Sequence, residues 1–575
     1  MHSTSTLIEL KRFSKADIEI EHTISVSILA DSSTQFFVQA LKGIGKRDEI
    51  SYEIYEADYD QIQQEILNLS SHFHEKDSEI AIFLFSTEKL LSKFQKSNVE
   101  SRVGFSDSFI QDLNSLVENV SNSSKIILNT FPPINSSVFG NYGAKVESSF
   151  EFQLSKLNFE IKKLALQNGQ VFICDIEQLQ NQFGIQNRLD PKFYIKGNLA
   201  FGLDFIPALV ENYSAIIKSI KGISLKKCLI LDLDNTTWGG IIGDDGLEGI
   251  EVGDLGIGKA FDELQLWAME LKNRGIILCI CSKNTDSVAR EPFEKHPDMT
   301  LRLEDISVFV ANWENKADNI RYIQNVLNIG FDSMVFLDDN PFERNLVRQE
   351  LPAVLVPELP EDPVEYMQFI RTLNLFETAS FSSEDGNRTK KYQEEAKRVS
   401  AKTSYGSIED YLASLDMRAT VEPFSAFSVP RVSQLTQRSN QFNLRTIRYS
   451  EEDIKNVIAS DQHMSMQISL EDKYGEYGII GLVIGEKKED VLFIDTWIMS
   501  CRVLKRGVEK MVLNQLVELA KQHNCISIVG EYIPTAKNKL VETHYVDLGF
   551  EPLSENQYSL NMNTFSAFPT KIELK

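Results

Sequence analysis

Six residues in the middle of the chain have the types needed to grip a phosphoryl group and a divalent cation. Asp232 and Asp234 follow the apolar run Cys228–Leu231 within KKCLILDLDNTTWGGIIGDDG. Ser282 closes the apolar run 276–281, Lys316 follows 307–310, and Asp338 and Asp339 end the run Met334–Leu337. A carboxylate can attack phosphorus and split one hard displacement into two. A lysine and a hydroxyl can stabilise the charge that develops, and carboxylates are the oxygen ligands a hard cation prefers. Each feature alone has an ordinary explanation. A DxD sits at many strand ends, Ser282 can cap a helix, a lysine is usually solvated, and Asp338-Asp339-Asn340-Pro341 can be a turn. Four such groups in order, each after an apolar run, point to one site.

The elements that must position them are legible from the same stretch. The four apolar runs read as buried parallel strands, and open α/β sheets bind ligands at the carboxyl ends of their strands. Residues 259–274 carry Phe261, Leu264, Ala268 and Leu271 at helical spacing and stop at Gly275, a normal C-cap. A second helix from Lys316 buries Ile320, Ile323 and Leu327 and stops near Gly330. No insertion is long enough for a large cap domain, which leaves the site open to a bulky or protein-borne substrate. The segment 238–243 is predicted to form a short hairpin over the site, with Trp238 either lining its mouth or packed in the core.

In this order the motifs resemble the four motifs of the haloacid dehalogenase superfamily of phosphotransferases. The runs DLDNTTWGGIIGDDGLEGI, NWENKADNI and FLDDNPFERNLVRQELPAVLVPELP are similar to the FkbH-type family. So are RVSQLTQRSNQFNLRTIRYS and DTWIMSCRVLKRGVE, and the similarity extends over nearly the whole chain. The resemblance implies Asp232 as nucleophile, Asp234 as the acid that protonates the leaving oxygen and then activates water, and Ser282 and Lys316 as phosphoryl binders. It implies Mg²⁺ on Asp232, the main-chain carbonyl of Asp234 and Asp339, with Asp338 beside them. Glu343, four residues after Asp339, matches the superfamily's spacing for its last motif.

At 575 residues the chain is too long for one core. Its 59 basic against 83 acidic residues give a net charge of −24, which opposes binding to nucleic acid or an anionic membrane. The six cysteines, Cys174, Cys228, Cys279, Cys281, Cys501 and Cys525, are scattered and mostly inside apolar runs, so buried thiols are expected rather than disulfides or a metal site. No secretory h-region and no 18-residue apolar run occur, and a cytoplasmic protein is expected.

The expected fold class is α/β and multi-domain. A central Rossmann-like haloacid dehalogenase core without a large cap is flanked by an SGNH-like α/β domain and a GNAT-like α+β domain. The expected division is 1–220, 222–360, a helical linker at 361–424 with Glu384, Asp385 and Arg388 on a solvated face, and 425–575. In the first part Asp31-Ser32 resembles the start of an SGNH-type esterase. The place of that fold's Asp-x-x-His reads Asp175-Ile-Glu-Gln178, and a hydroxyl without its base stays a weak nucleophile, so a structural or docking domain is expected.

In the last part, strands, a basic loop, a long helix and a later strand are similar to a GNAT core. The acetyl-CoA loop of that fold, Arg/Gln-x-x-Gly-x-Gly/Ala, here reads RVLKRG, and Lys505 takes the first glycine's place. Acetyl transfer is therefore not expected. Arg502, Lys505 and Arg506 form a positive cluster that is either merely solvated or able to attract a phosphopantetheine-bearing carrier or a phosphorylated ligand.

The function expected is that of a Mg²⁺-dependent phosphatase or phosphotransferase working through an aspartyl-phosphate on a small phosphorylated metabolite. The resemblance also implies a glyceryl transferase that loads a three-carbon unit from 1,3-bisphosphoglycerate onto an acyl carrier protein. Leu233 stands where that chemistry expects a cysteine between the two aspartates. A third reading is a carrier-protein-binding scaffold with an inactive centre.

Overall fold

Alternating apolar runs and amphipathic stretches over the first part of the chain build a five-stranded parallel sheet. Its strands are β1 (His22–Ala30), β2 (Ile50–Glu56), β3 (Ile80–Leu84), β4 (Lys125–Asn129) and β5 (Val171–Cys174), in the order β2-β1-β3-β4-β5. The structure, a computed structural model, describes residues 5–381, 407–439, 441–500, 503–504, 506–535 and 537–575. The chain divides into two compact units, 2–218 and 219–575.

The second unit begins with a four-stranded parallel sheet of β6 (Cys228–Leu231), β7 (Ile277–Ser282), β8 (Val308–Ala311) and β9 (Met334–Leu337). Its order is β8-β7-β6-β9, so the chain reverses direction across the sheet at β6. Successive side chains of a strand point to opposite faces, and both faces here are covered. Leu229, Leu231, Leu278, Ile280, Val335 and Leu337 pack with Phe261, Leu264 and Ala268 of the helix Gly258–Asn273. On the other face Cys228, Ile230, Cys279 and Phe336 pack with Ile320, Ile323 and Leu327 of the helix Lys316–Leu327.

The expected helical linker differs from what is found at both of its ends. Tyr366, Met367 and Ile370 of the helix Tyr366–Thr372 are buried in the central core together with Phe376, because this apolar face caps the helix Gly258–Asn273 side of the sheet. Residues Met417–Glu422 form strand β10 of the next sheet. Glu384, Asp385 and Arg388 lie outside the described residues. The finer division of residues 219–575 into a phosphatase-type part and a C-terminal part is our proposal.

That C-terminal part is a mixed eight-stranded sheet. It adds β11 (His463–Asp472), β12 (Gly475–Lys488), β13 (Val491–Met499), β14 (Ser527–Glu531), β15 (Glu551–Pro552), β16 (Gln557–Asn561) and β17 (Ile572–Leu574) in the order β15-β16-β14-β13-β12-β11-β10-β17. The parallel step from β13 to β14 is made through the helix Val508–Gln522, whose Val508, Met511, Val512 and Leu516 are buried. Among the described residues no helix is long and apolar enough to cross a membrane.

One buried titratable group gives this sheet a pH signature. His544 is wedged among Phe442, Trp497 and Tyr545, at ring-centroid distances of 4.9, 4.6 and 5.5 Å. Burial, opposed by Asp547, lowers its pKa from 6.5 to about 3. Between those values the unfolded chain binds a proton that the folded chain refuses. The stability present above pH 6.5 is therefore lost as pH falls, by about 1.4 kcal/mol per pH unit. Denaturant unfolding from pH 7.5 to 5 should show this slope, and His544→Phe should flatten it. An unchanged slope in the variant would contradict the assignment.

Candidate active site

The carboxyl end of β6 is where the site is built. Asp232 lies just past the strand, held in line with β9 by its N–H, which donates to the Leu337 carbonyl at 3.0 Å. The chain then turns sharply. Asn235 adopts a left-handed φ of 53° and Gly240 one of 87°, conformations open to asparagine and glycine. The Asn235 side chain accepts from the Gly240 N–H at 3.0 Å. Thr237 Oγ1 donates to the Asp232 carbonyl at 2.6 Å, which fixes the turn beneath the carboxylate.

Because β7 and β9 flank β6, their ends bring Ser282 and the pair Asp338-Asp339 beside Asp232. Lys316 arrives from the N-terminus of its helix, one strand further out. Its ammonium is buried and pairs with Asp232 Oδ2 at 2.9 Å and with Asp338 Oδ2 at 2.6 Å. Burial disfavours the charge, but the carboxylates of Asp232 and Asp338 outweigh it and raise the lysine's pKa above the ordinary range. Asp338 and Asp339 are both shifted upward, first by burial and then by the neighbouring Asp232.

Carboxylate oxygens of Asp232, Asp338 and Asp339 lie within 4.8 Å of one another. One of them fits a cation especially well, since Asp232 Oδ1 is buried without a hydrogen-bond partner. Asp338 is fully committed: one oxygen takes Lys316 and the other accepts from the Asn340 N–H at 2.9 Å. Asp339 is half-buried, touches Thr236 Oγ1 only at 3.5 Å, and keeps ligating capacity.

Asp234 is not in this group of three. Its carboxylate turns toward the segment after β6, where Oδ1 accepts from Trp238 Nε1 at 3.0 Å and the Ile242 N–H at 3.1 Å. Its Oδ2 accepts from Asn284 Nδ2 at 2.8 Å, and the same amide reaches Ser282 Oγ at 3.3 Å. Asn284 thus links two expected site residues and was missed in the sequence, although its place two residues past Ser282 was a usable signal. Glu343 is buried and paired with Lys283 at 2.6 Å. Arg344, also missed, donates to the carbonyls of Asp338 and Asp339 at 2.8 and 2.6 Å and so shapes their turn.

Of the two places left open for Trp238 the structure takes the core, where it is fully buried against Phe293. Two expectations are corrected here. The segment expected as a hairpin leads instead into the short helix Ile242–Gly249, with a single antiparallel bridge between Gly239 and Glu251. Arg506 is not part of an exposed basic cluster. It is buried, hydrogen-bonds Tyr477 and lies 3.8 Å from Asp472. Arg502 and Lys505 lie outside the described residues, as does Cys501. The other five cysteines are buried thiols.

In the N-terminal unit Ser32 is buried, and both oxygens of Asp31 are turned to the Ser86 N–H. A cleft of about 290 Å³ opens there between Asp31, Phe85, Phe109 and Phe131, but Ser32 does not line it. Asp175 caps the helix Ile176–Phe183 by accepting from the Gln178 N–H at 3.2 Å.

The family model described as FkbH, N-terminal domain, matches residues 25–218. Among solved structures, the N-terminal part of the protein BF1531 from Bacteroides fragilis, containing a phosphatase domain and complexed with Mg, is 46% identical. The match covers 66% of this chain and all of that one, with a TM-score of 0.63. The ribosomal-protein-S18-alanine N-acetyltransferase from Escherichia coli is 13% identical over 25% of this chain and 94% of its own, with a TM-score of 0.20. A likeness at that level settles nothing about the C-terminal part. No curated protein matches the chain by sequence.

The lysine and its two carboxylates make a stability prediction. Lys316→Met leaves Asp232 and Asp338 buried without their cation and should cost about 3–5 kcal/mol in metal-free buffer. Adding Asp338→Asn should recover part of the loss. Equal urea midpoints for wild type and Lys316→Met would contradict the pairing.

Proposed function

The chain belongs to the FkbH family, and from that premise we propose that its centre is a Mg²⁺-dependent phosphatase or phosphotransferase working through an aspartyl-phosphate at Asp232. A haloacid dehalogenase-type, phosphatase-like function is what the family and the 46% identical phosphatase-domain structure support. The observation that carries the finer reading is the buried, partnerless oxygen of Asp232 within reach of Asp339 and beside the buried ammonium of Lys316.

In this reading Asp232, Asp339 and the Asp234 carbonyl would hold Mg²⁺, which would supply the positive charge that lets a phosphate dianion approach a carboxylate. Asp232 attacks phosphorus, and the bond from phosphorus to the leaving oxygen breaks. Lys316, paired with the nucleophile, faces the phosphoryl oxygens and offsets their charge, while Ser282 donates to one of them. Asp234 delivers a proton to the leaving oxygen, for which it must exchange the Asn284 amide for the substrate. Water then attacks the aspartyl-phosphate, gives its proton to Asp234, and frees Asp232 and inorganic phosphate. Asp338 holds Lys316 in place and does not touch the substrate.

The substrate class in this reading is a small phosphorylated metabolite, and an acyl carrier protein is a candidate partner because no large cap closes the site. Glyceryl transfer has less support. Leu233 is buried and cannot form a thioester, and the thiol of Cys228 is pushed well above its ordinary pKa by burial and by Cys279. An inactive scaffold has no reason to keep a buried lysine between two carboxylates, an arrangement that is rarely favourable for stability alone.

Phosphate release from phosphomonoesters should require Mg²⁺, vanish with a chelator and return when the ion is restored. Asp232→Asn should lower it by several orders of magnitude with the melting temperature kept, at about 1.4 kcal/mol of barrier per factor of ten. Wild-type turnover in Asp232→Asn would refute the reading.

A further inference from the structure

Three of the four segments leaving the carboxyl ends of the central sheet carry an exposed, large apolar side chain. Ile241, 44% exposed, follows β6. Trp313, 73% exposed, lies between β8 and Lys316. Phe342, 69% exposed, follows β9 and Asp339. The fourth loop, after β7, presents Lys283, which is paired with Glu343. Single exposed apolar residues need no explanation, but three converging on the loops that carry Asp234, Lys316 and Asp339 do. β8 and β9 are the outer strands of this sheet, so Trp313 and Phe342 approach the mouth from opposite sides. Asp232, Lys316 and Asp338 are buried, whereas these three apolar side chains are open to solvent.

We propose that Ile241, Trp313 and Phe342 form a recognition rim for the leaving group. The substrate is then a phosphate monoester whose organic part carries an aromatic or extended apolar segment, not a compact polar acid. This inference rests on the phosphatase reading of the site below the rim. With the phosphate at Asp232, the organic part projects outward between Trp313 and Phe342, and aromatic faces give it apolar contact and stacking at low entropic cost. The rim binds the body of the substrate equally in the ground state and the transition state. Its loss should therefore appear in KM and not in kcat.

The test uses the full chain with Mg²⁺ and two substrates, 4-nitrophenyl phosphate and acetyl phosphate. Trp313→Ala and Phe342→Ala should each raise KM for the aromatic ester about tenfold, with kcat within twofold and the KM for acetyl phosphate unchanged. Trp313→Phe should restore most of the loss. Calorimetric titration of Asp232→Asn protein supplies a readout without turnover: the added Trp313→Ala should weaken 4-nitrophenyl phosphate about tenfold and leave acetyl phosphate alone. Binding that depends on Trp313 in a protein that turns over neither substrate would remove the phosphatase reading and keep the rim. No dependence on Trp313 or Phe342 in either assay, or an equal loss for both substrates, would overturn the proposal.

Discussion

The arrangement of the central unit depends on one buried cation. Lys316 lies between Asp232 and Asp338 and pairs with both. Without it two carboxylates of adjacent strands would face each other in a buried site, where like charges repel strongly and desolvation disfavours both. With it, Asp338 is used up in holding the lysine, and Asp232 keeps one oxygen free of any donor. That asymmetry separates the two carboxylates: Asp338 has both oxygens engaged, and Asp232 has one without a partner.

The sheet order explains how residues more than a hundred positions apart come to share that lysine. Placing β6 between β7 and β9 sets the ends of three strands side by side, and the reversal of chain direction at β6 opens a crevice at their carboxyl ends. Turns do the fine positioning. Thr236 and Thr237 tie the segment after β6 to Asp339 and to the Asp232 carbonyl, and Arg344 holds both carbonyls of the Asp338-Asp339 turn. Tyr366 reaches back to the Asn235 carbonyl at 3.1 Å, so residues expected to lie in a linker support the turn that follows Asp232.

The central strands were readable because parallel strands covered on both faces are continuous apolar runs, and each run ends within one position of where the structure ends the strand. The long helix expected after the basic loop is Val508–Gln522. Strand β11 was not recognised, though Met464, Met466, Ile468 and Leu470 alternate along it and are buried. β10 was hidden because MRATVE is half polar and follows a charged stretch. Which way a side chain turns is the level at which reading stopped. Asp232 and Asp234 are two residues apart and look equivalent, yet one faces Lys316 and the other faces Trp238 and Asn284. That choice is made by tertiary donors just past β7 and on the segment after β6, which no local pattern encodes. Asn284 was overlooked for the same reason, since an asparagine after a strand is most often a turn residue.

The central claim is that Asp232 carries the phosphoryl group. Stopping turnover in acid, reducing the protein with borohydride and sequencing its peptides by mass spectrometry tests this directly, because an acyl phosphate is reduced to the alcohol while a free carboxylate is not. The account predicts homoserine at position 232, dependent on substrate and Mg²⁺ and absent without either. Unmodified Asp232 in protein that is turning over, or reduction at Asp234, Asp338 or Asp339 instead, would contradict it.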